Sequence, residues 1–445
     1  MSSTASLSAR ATACARWFVA WPPLAYAFVA WIAFVLGAYP GYLSFDSTLQ
    51  LMHVRAGSLS DAHAPVMSAL WSACEYVMAG PFPMLLLQSG LLLFGLAAVL
   101  RTVVSRRAAA VTAGAILLFP PVFAPMAVIW PDSLMAGALV AATGAALEPG
   151  RRWRAIAAGL LVLACSCRPA IAIAIVPLVL LVLPASGRWR RAALAIALTF
   201  GIAGSARLAD HLLVDERAYG WHEGLLGMDL VGTLRRARVA EPAALDGALA
   251  GVATLQRAAG HDRIVEGGRD ALDGWPLFHG PAPVFTPITS DDAAAALAVA
   301  WGRAIVAHPD AYLRHRWLMT RQLLGLSGRW APVYDDFASP DLLASISHRA
   351  TASDWQTGMR AIVRATARTP LFRPWLYVLL ALALWFLTRP WPVVRALVVS
   401  GLSYELALFV LAPRPEYRYS HWLVTTTCLA LVAFVVDRRG AWRKP

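Results

Sequence analysis

The run WFVAWPPLAYAFVAWIAFVLGA (17–38) passes without a spacer into YPGYLSFDSTLQLMHV (39–54). The first stretch carries no charge, and it is long enough to cross a hydrocarbon core about 30 Å thick. The second at once presents an acid, Asp46, between aromatic and hydroxyl side chains. An isolated Asp in such a loop ordinarily caps the helix that follows, here one running through STLQLMHV. A larger role for Asp46 depends on what else the chain brings to the same side.

The rest of the chain repeats the apolar pattern. Of its 445 residues, 58% are hydrophobic and 15% are charged, and the mean hydropathy is +0.57. A soluble domain carries about 25% charged residues, so these values describe a polytopic membrane protein. Apolar segments fall near 17–38, 84–104, 108–130, 133–148, 155–167, 169–185, 192–207, 372–388, 393–412 and 422–436. They predict an all-α fold with about 10 transmembrane helices. The pair 155–167 and 169–185 reads equally as two short spans, one long tilted helix or a re-entrant hairpin. The run 17–38 is too long for a signal-peptide core and reads as an uncleaved anchor.

The net charge of +13 gathers in short loops. The clusters are Arg106 and Arg107; Arg151, Arg152 and Arg154; Arg188, Arg190 and Arg191; and Arg438, Arg439, Arg443 and Lys444. No nucleic-acid module accompanies them, so nucleic acid is not an expected partner. Positive loops orient membrane proteins with that side cytoplasmic. With both termini inside, all four clusters face the cytoplasm. The opposite side receives 39–83, the turns at Asp132 and Arg168, the stretch 208–371 and APRPEYRYSH (412–421). Three parts follow: a membrane domain over 1–207 with a first external loop at 39–83, an external, mostly helical segment over 208–371, and C-terminal membrane helices over 372–445. The five cysteines show neither a disulfide framework nor metal-type spacing.

Within 208–371, TSDD (289–292) is a helix start, with Ser290, Asp291 or Asp292 as its cap. That helix runs through 293–308 and stops before Pro309. DAYLRHRWLMTRQLL (310–324) mixes aromatics, leucines and arginines as a helix lying on a bilayer surface does.

The topology puts Asp46, Asp61, His63, Asp132, Arg168, Glu416 and Arg418 on one face, each beside a span end. Singly, each has a plain explanation. Asp61, His63 and Pro65 can open a helix, Asp132 can sit at a helix N-terminus, and Arg414 and Arg418 can anchor an interface with Tyr417, Tyr419 and Trp422. Arg168 is harder to explain so. It stands alone in the otherwise uncharged 155–185, where an arginine at mid-membrane costs roughly 2.5–3.5 kcal/mol. It fits a turn at the interface or a bound anion.

The order of these elements resembles the GT-C class of integral-membrane glycosyltransferases, in particular an uncharacterised bacterial branch. It comprises a first span, PGYLSFDS, SDAHAP, WPDS opening a later span, an arginine-bearing hairpin (CRPAIA), HPDAYLRHR in a large external segment, and a final RYSHW. The resemblance covers nearly the whole chain and lies more in the order than in any one motif. It implies transfer of a sugar from a polyprenyl-phosphate donor at the outer face of the membrane. Asp46 matches the catalytic base or metal ligand of the first external loop, and Asp132 matches an assisting acid. Arg168 and Arg418 match the donor-phosphate ligands, and Asp61, His63 and Tyr417 are further candidates for substrate binding. Two departures stand out: Ala64 splits the Asp-His-Pro element, and CRPAIA lacks a polar follower.

The residue types suit that chemistry independently. A lipid-phosphate sugar has an anionic leaving group, which calls for cations aimed at developing charge, and the planar arginine fork suits phosphate. The acceptor hydroxyl needs a base. Carboxylate oxygens suit Mg²⁺ or Mn²⁺, so Asp46 and Asp132 are the residues to hold a metal, although two distant acids do not establish one. The acceptor is a glycan, a lipid or a protein of the cell envelope, chosen by 208–371. In that stretch GWHEG (220–224) and DGWPLFHG (273–280) read either as sugar-stacking aromatics or as loop packing. The rich use of Ala and Arg points to a bacterium, hence to a multi-pass protein of the inner membrane with a periplasmic site. Two other readings stay open. One is a secondary transporter or lipid flippase, whose broken helices the 155–185 region and FPPVFAP (119–125) echo. The other is a non-catalytic envelope scaffold.

Overall fold

The structure, a computed structural model, describes residues 22–183, 187–266, 272–327, 343–344, 346, 352–387 and 391–438. Cys14, Arg10, Arg16 and the basic residues after Arg438 lie outside the described residues. Those described form helices and turns, with isolated bridges in place of sheets.

Pro22 and Pro23 open the first helix, α1 (Pro23–Ala38), where a missing N–H costs nothing. It buries Ala27, Phe34, Gly37 and Ala38 and leaves Leu24, Phe28, Val29, Ile32 and Leu36 exposed. An apolar helix bare on its outer face is one that meets lipid, since soluble proteins rarely expose such a stripe. Two short helices follow, α2 (Phe45–Ala56) and α3 (Pro65–Val77), and then α4 (Phe82–Leu100). Next come α5 (Arg106–Leu118) and α6 (Pro120–Ala127), bent by 69° at the break between them. Pro120 and Pro121 cause the bend, because neither ring carries the N–H that would continue the helix.

The centre of the bundle is α4 against α7 (Pro131–Ala146), with α8 (Arg151–Cys167) on the far side of α7. The α4–α7 approach is close: a Cβ on Gly95 would stand 2.6 Å from the backbone nitrogen of Ala141. Small residues at such crossings are how helices pack where lipid supplies no hydrophobic drive. The buried Gln88 on α4 donates to the carbonyls of Met126 (2.7 Å) and Val128 (2.9 Å), which the chain break there leaves without helical partners.

After α8 the chain breaks at Arg168, makes a 3-10 turn (Pro169–Ala172) and the short helix α9 (Val176–Val182), and returns along α10 (Arg188–Leu213). The region 155–185 is therefore not one tilted helix: α8 ends at the extended Arg168 before Pro169, and α9 has only 7 residues. At the C-terminal end, α11 (Pro374–Leu387), α12 (Pro392–Leu411) and α13 (His421–Arg438) pack on one another and on the centre.

Four stretches are long and apolar enough to cross a membrane: Phe82–Leu100, Arg188–Leu213, Pro392–Leu411 and Tyr417–Val436. The bent α5–α6 pair makes up to five. The expected count of about 10 is not reached by this measure, because α1 and α11 are shorter apolar helices and α7, α8 and α9 have 16, 17 and 7 residues. The chain nevertheless alternates between two ends. Arg101 pairs with Glu148 at the end that also carries the Arg106, Arg151 and Arg188 clusters. Asp46, Asp132, Arg168 and Arg418 lie at the other.

The segment between α10 and α11 has a hydrophobic core of its own, built from Leu226, Leu230, Leu234, Phe278, Phe285 and Leu297 among others. Its main helices are α14 (Met228–Arg236), α15 (Asp291–Ala307) and α16 (Pro309–Leu323). Ser290 caps α15 by accepting from Ala293 N–H (3.2 Å), and the helix ends before Pro309 as expected. The surface-lying helix expected over 310–324 is α16, and it does more than lie on a surface. His315 and Arg316 are fully buried on it, and Arg316 donates to Asp229 (3.1 Å) and to the carbonyls of Phe409 (2.8 Å) and Ala412 (3.1 Å). This side chain fastens the segment between α10 and α11 to the end of α12. A later helix, Asp354–Ala367, packs instead on the membrane bundle, with Trp355 donating to the Ala33 carbonyl and Gln356 to that of Tyr39.

Candidate active site

Two stretches far apart in sequence are stitched together first. Tyr42 N–H donates to the Ala127 carbonyl (2.8 Å), and Ile129 N–H donates to that of Tyr42 (3.0 Å). Ser47 Oγ donates to the Ile129 carbonyl (2.7 Å) and Trp130 Nε1 to Ser44 Oγ (2.8 Å). Gly41 permits the approach: its φ is +115°, and a Cβ there would sit 2.9 Å from Ile129. PGYLSFDS and IWPDS thus form one unit, and their acids are brought side by side.

Ser44, not Asp46, is the N-cap of α2. Asp46 stands in the first turn of α2 and Asp132 in the first turn of α7, where the helix dipole favours a negative charge. Arg168 sits on the extended residue before Pro169 (φ −147°, ψ 103°), a geometry that proline imposes on its predecessor. Its guanidinium grips Asp132 with both prongs, Nε to Oδ1 at 2.9 Å and Nη2 to Oδ2 at 2.6 Å. Arg418 lies in the 3-10 turn Tyr417–Ser420 before α13. Its Nη2 donates to Asp46 Oδ2 at 2.8 Å, and its Nε is 3.9 Å from Asp132 Oδ2. The same Nε is 2.5 Å from Glu416 Oε2 but not aligned on it, so this buried N–H has no hydrogen-bond acceptor. The guanidinium also stacks over Trp130 (4.6 Å) and Tyr419 (5.3 Å), and that of Arg168 over Tyr419 (5.0 Å).

Depth separates the two acids. The Asp132 side chain is 0% exposed and that of Asp46 36%; Arg168 keeps 25% and Arg418 5%. Asp132 therefore lies behind the arginines and orients them, while Asp46 stands at the mouth. Burial alone would raise the Asp46 carboxyl, but the Arg418 charge and hydrogen bond bring it down to about 2. His63 is half-buried near Asp46, with Nε2 lacking a partner. Burial holds it down at about 4, against the pull of Asp46, so it is neutral near physiological pH.

Not every candidate joins the group. Asp61 is exposed and accepts from Ala218 N–H (2.5 Å), which ties the loop to the segment after α10. Tyr417 is buried, donates to the Pro121 carbonyl (3.1 Å) and packs on Phe372. The structure thus places Tyr417 in the core and puts Tyr419, two residues on, against the arginines. Asp46 and Asp132 both have guanidiniums on their oxygens, and no group of three or more His, Cys, Asp or Glu is placed to hold a metal among the described residues. Carboxylates held in this way are arginine ligands and do not fit a divalent ion.

Glu405 and Trp130 are not singled out from the sequence, which offers Tyr419 and Arg414 only as interfacial anchors. Glu405 sits inside the span 392–411 and accepts from Ser420 Oγ (2.9 Å); an acid inside an apolar run was the available signal. Trp130 and Tyr419 supply the faces under the arginines, and only the fold shows that they converge. Arg414 pairs with Asp273 of the segment between α10 and α11 (3.0 Å), which brings that segment to the arginine group.

No family model and no curated protein matches this chain. Among solved structures it is similar to ArnT from Cupriavidus metallidurans in the apo state. That likeness has a TM-score of 0.32 and 14% sequence identity, over 95% of this chain and 78% of that one. At that score it says nothing about what the site does.

Proposed function

We propose that this protein is a GT-C-type membrane glycosyltransferase, moving a sugar from a polyprenyl-phosphate donor to a cell-envelope acceptor with inversion. In this reading the chain alternates between a basic cytoplasmic end and the end bearing the site, which opens to the periplasm of a bacterial inner membrane. The observation that carries it is the group of Arg418 and Arg168 on two carboxylates, the half-buried Asp46 and the buried Asp132. A cation pair at the end of a bundle, with a carboxylate at its open side, is suited to a lipid-linked phosphate leaving group and a hydroxyl nucleophile.

The acceptor oxygen bonds to the anomeric carbon from the face opposite the phosphate, and its proton passes to the Asp46 carboxylate. The bond from that carbon to the phosphate oxygen breaks, and its electron pair leaves with the lipid phosphate, which Arg418 and Arg168 hold. Asp132 touches no substrate and positions both guanidiniums. While Asp46 stays on Arg418 it is a weak base, as its low pKa states. A donor phosphate competes for Arg418, and a released, desolvated Asp46 rises toward a useful pKa. Donor binding thus precedes base activation.

The test is envelope glycan and lipid profiling of a strain lacking the protein. The strain lacks one sugar substituent. The wild-type gene restores it, and an Asp46→Asn gene expressed to the same level does not. Full restoration by Asp46→Asn overturns the assignment of the base. Unchanged glycans in the deletion strain overturn the reading as a whole.

A further inference from the structure

The external segment sends one loop to the mouth of the site. Asp273 pairs with Arg414 (3.0 Å) and also accepts from Trp275 N–H (3.0 Å), so the loop is pinned beside the arginine group. Trp275 stacks face to face on His279 at 3.9 Å and 22°. His279 Nε2 in turn is 2.6 Å from Glu223 Oε2, and Glu223 Oε1 accepts from Ile288 N–H (2.7 Å). Glu223 is almost fully buried, so the imidazole beneath the indole is fixed from below. Across the mouth, Phe45 meets Trp275 edge to face at 6.3 Å. Phe45 is the residue next to Asp46.

Both rings are open. Trp275 is 40% exposed and Phe45 42%. Packing alone does not call for a buried carboxylate–imidazole support under an indole whose surface is left bare. The rings are flanked by two partly exposed carboxylates, Asp46 and Asp273. Aromatic faces beside acceptor oxygens match a sugar ring, which offers C–H groups on its face and hydroxyl donors on its rim. An acyl chain would use the rings and leave the carboxylates idle.

We infer that Phe45 and Trp275, backed by His279 and Glu223, form an acceptor subsite for a sugar ring, which makes the acceptor a glycan rather than a protein or a bare lipid. This rests on the function proposed above for Asp46. The ring seated there directs a hydroxyl at that carboxylate.

The test uses the full chain in lipid nanodiscs and saturation-transfer NMR with methyl glycosides of glucose, mannose, galactose and arabinose. Irradiation of the aromatic protons transfers saturation to the ring protons of at least one glycoside. Trp275→Leu weakens that signal by roughly 2- to 12-fold, the range for one lost aromatic contact. Trp275→Phe retains most of it, and Trp189→Leu, an exposed tryptophan at the basic end, changes nothing. Thermal unfolding of each variant is followed in parallel, so a misfolded Trp275→Leu is recognised and Trp275→Phe decides. No transfer to any glycoside, or transfer unchanged in Trp275→Leu, overturns the subsite; the latter is the result for a simple bilayer anchor. Binding of undecaprenyl phosphate, lost in Arg418→Ala, is read separately. Its absence in the wild type sinks the donor assignment while leaving the glycoside result intact.

Discussion

Substituting the two acids separates folding from chemistry. Asp132→Asn removes a charge that is wholly buried and gripped by both prongs of Arg168, with Arg418 3.9 Å away. Arg168 then loses its carboxylate, while Arg418 keeps Asp46 and Glu416. Breaking a buried pair by removing one partner costs about 3–5 kcal/mol, most of it the penalty of the uncompensated charge left behind. Asp46→Asn removes a carboxylate that is 36% exposed and holds one arginine. Asp46 keeps some water and Arg418 retains Glu416 beside it, so the cost falls below that of Asp132→Asn. Unfolding in nanodiscs, followed by tryptophan fluorescence against denaturant, ranks the two. A double change, Asp132→Leu with Arg168→Met, recovers part of the loss of Asp132→Leu alone, because an apolar pair leaves one buried charge fewer. Equal costs for the two Asn variants, or no recovery in the double variant, would refute the assignment of Asp132 as a buried holder of the arginines.

Activity orders the same variants the other way. Asp46→Asn lowers transfer by about 10²- to 10⁴-fold, the usual worth of a general base, while undecaprenyl-phosphate binding persists; loss of both together would point to binding instead. Stability falls as pH falls from 6.5 to about 4, because the unfolded chain binds a proton that His63, held at about 4, refuses. His63→Gln flattens the profile in that window, and an unchanged slope would rule His63 out as its source. The Asp46 contribution is lost lower, as pH drops from 3.8 toward about 2. Arg316→Ala leaves Asp229 buried without its cation and costs about 3–5 kcal/mol. Limited proteolysis then cuts the segment between α10 and α11 first, and a wild-type digestion pattern would count against its fastening role.

The membrane class was legible in the apolar runs, because lipid exposure is a property of composition. The gathering of Asp46, Asp132, Arg168 and Arg418 at one end was legible because alternation between basic and polar loops constrains which turns share a face. The limits are equally specific. Span lengths misled over 155–185, where Pro169 ends α8 and a 3-10 turn separates it from the short α9. Tyr417 and Tyr419 are indistinguishable in RYSHW until the 3-10 turn points one to Pro121 and the other to the arginines. Asp61 shares its loop with His63, yet its hydrogen bond to Ala218 carries it away from the site.

By itself the sequence determined where the chain meets lipid and which ionisable groups can share a side, since both follow from local hydropathy and charge order. Tertiary structure alone decided the rank of those groups. Burial puts Asp132 behind the arginines and leaves Asp46 in front, and the Asp273–Arg414 contact brings Trp275 to the mouth. Depth and long-range contact are properties of the packed whole: what a side chain can do depends on the water taken from it and on the charge set opposite, and neither is written next to it in the chain.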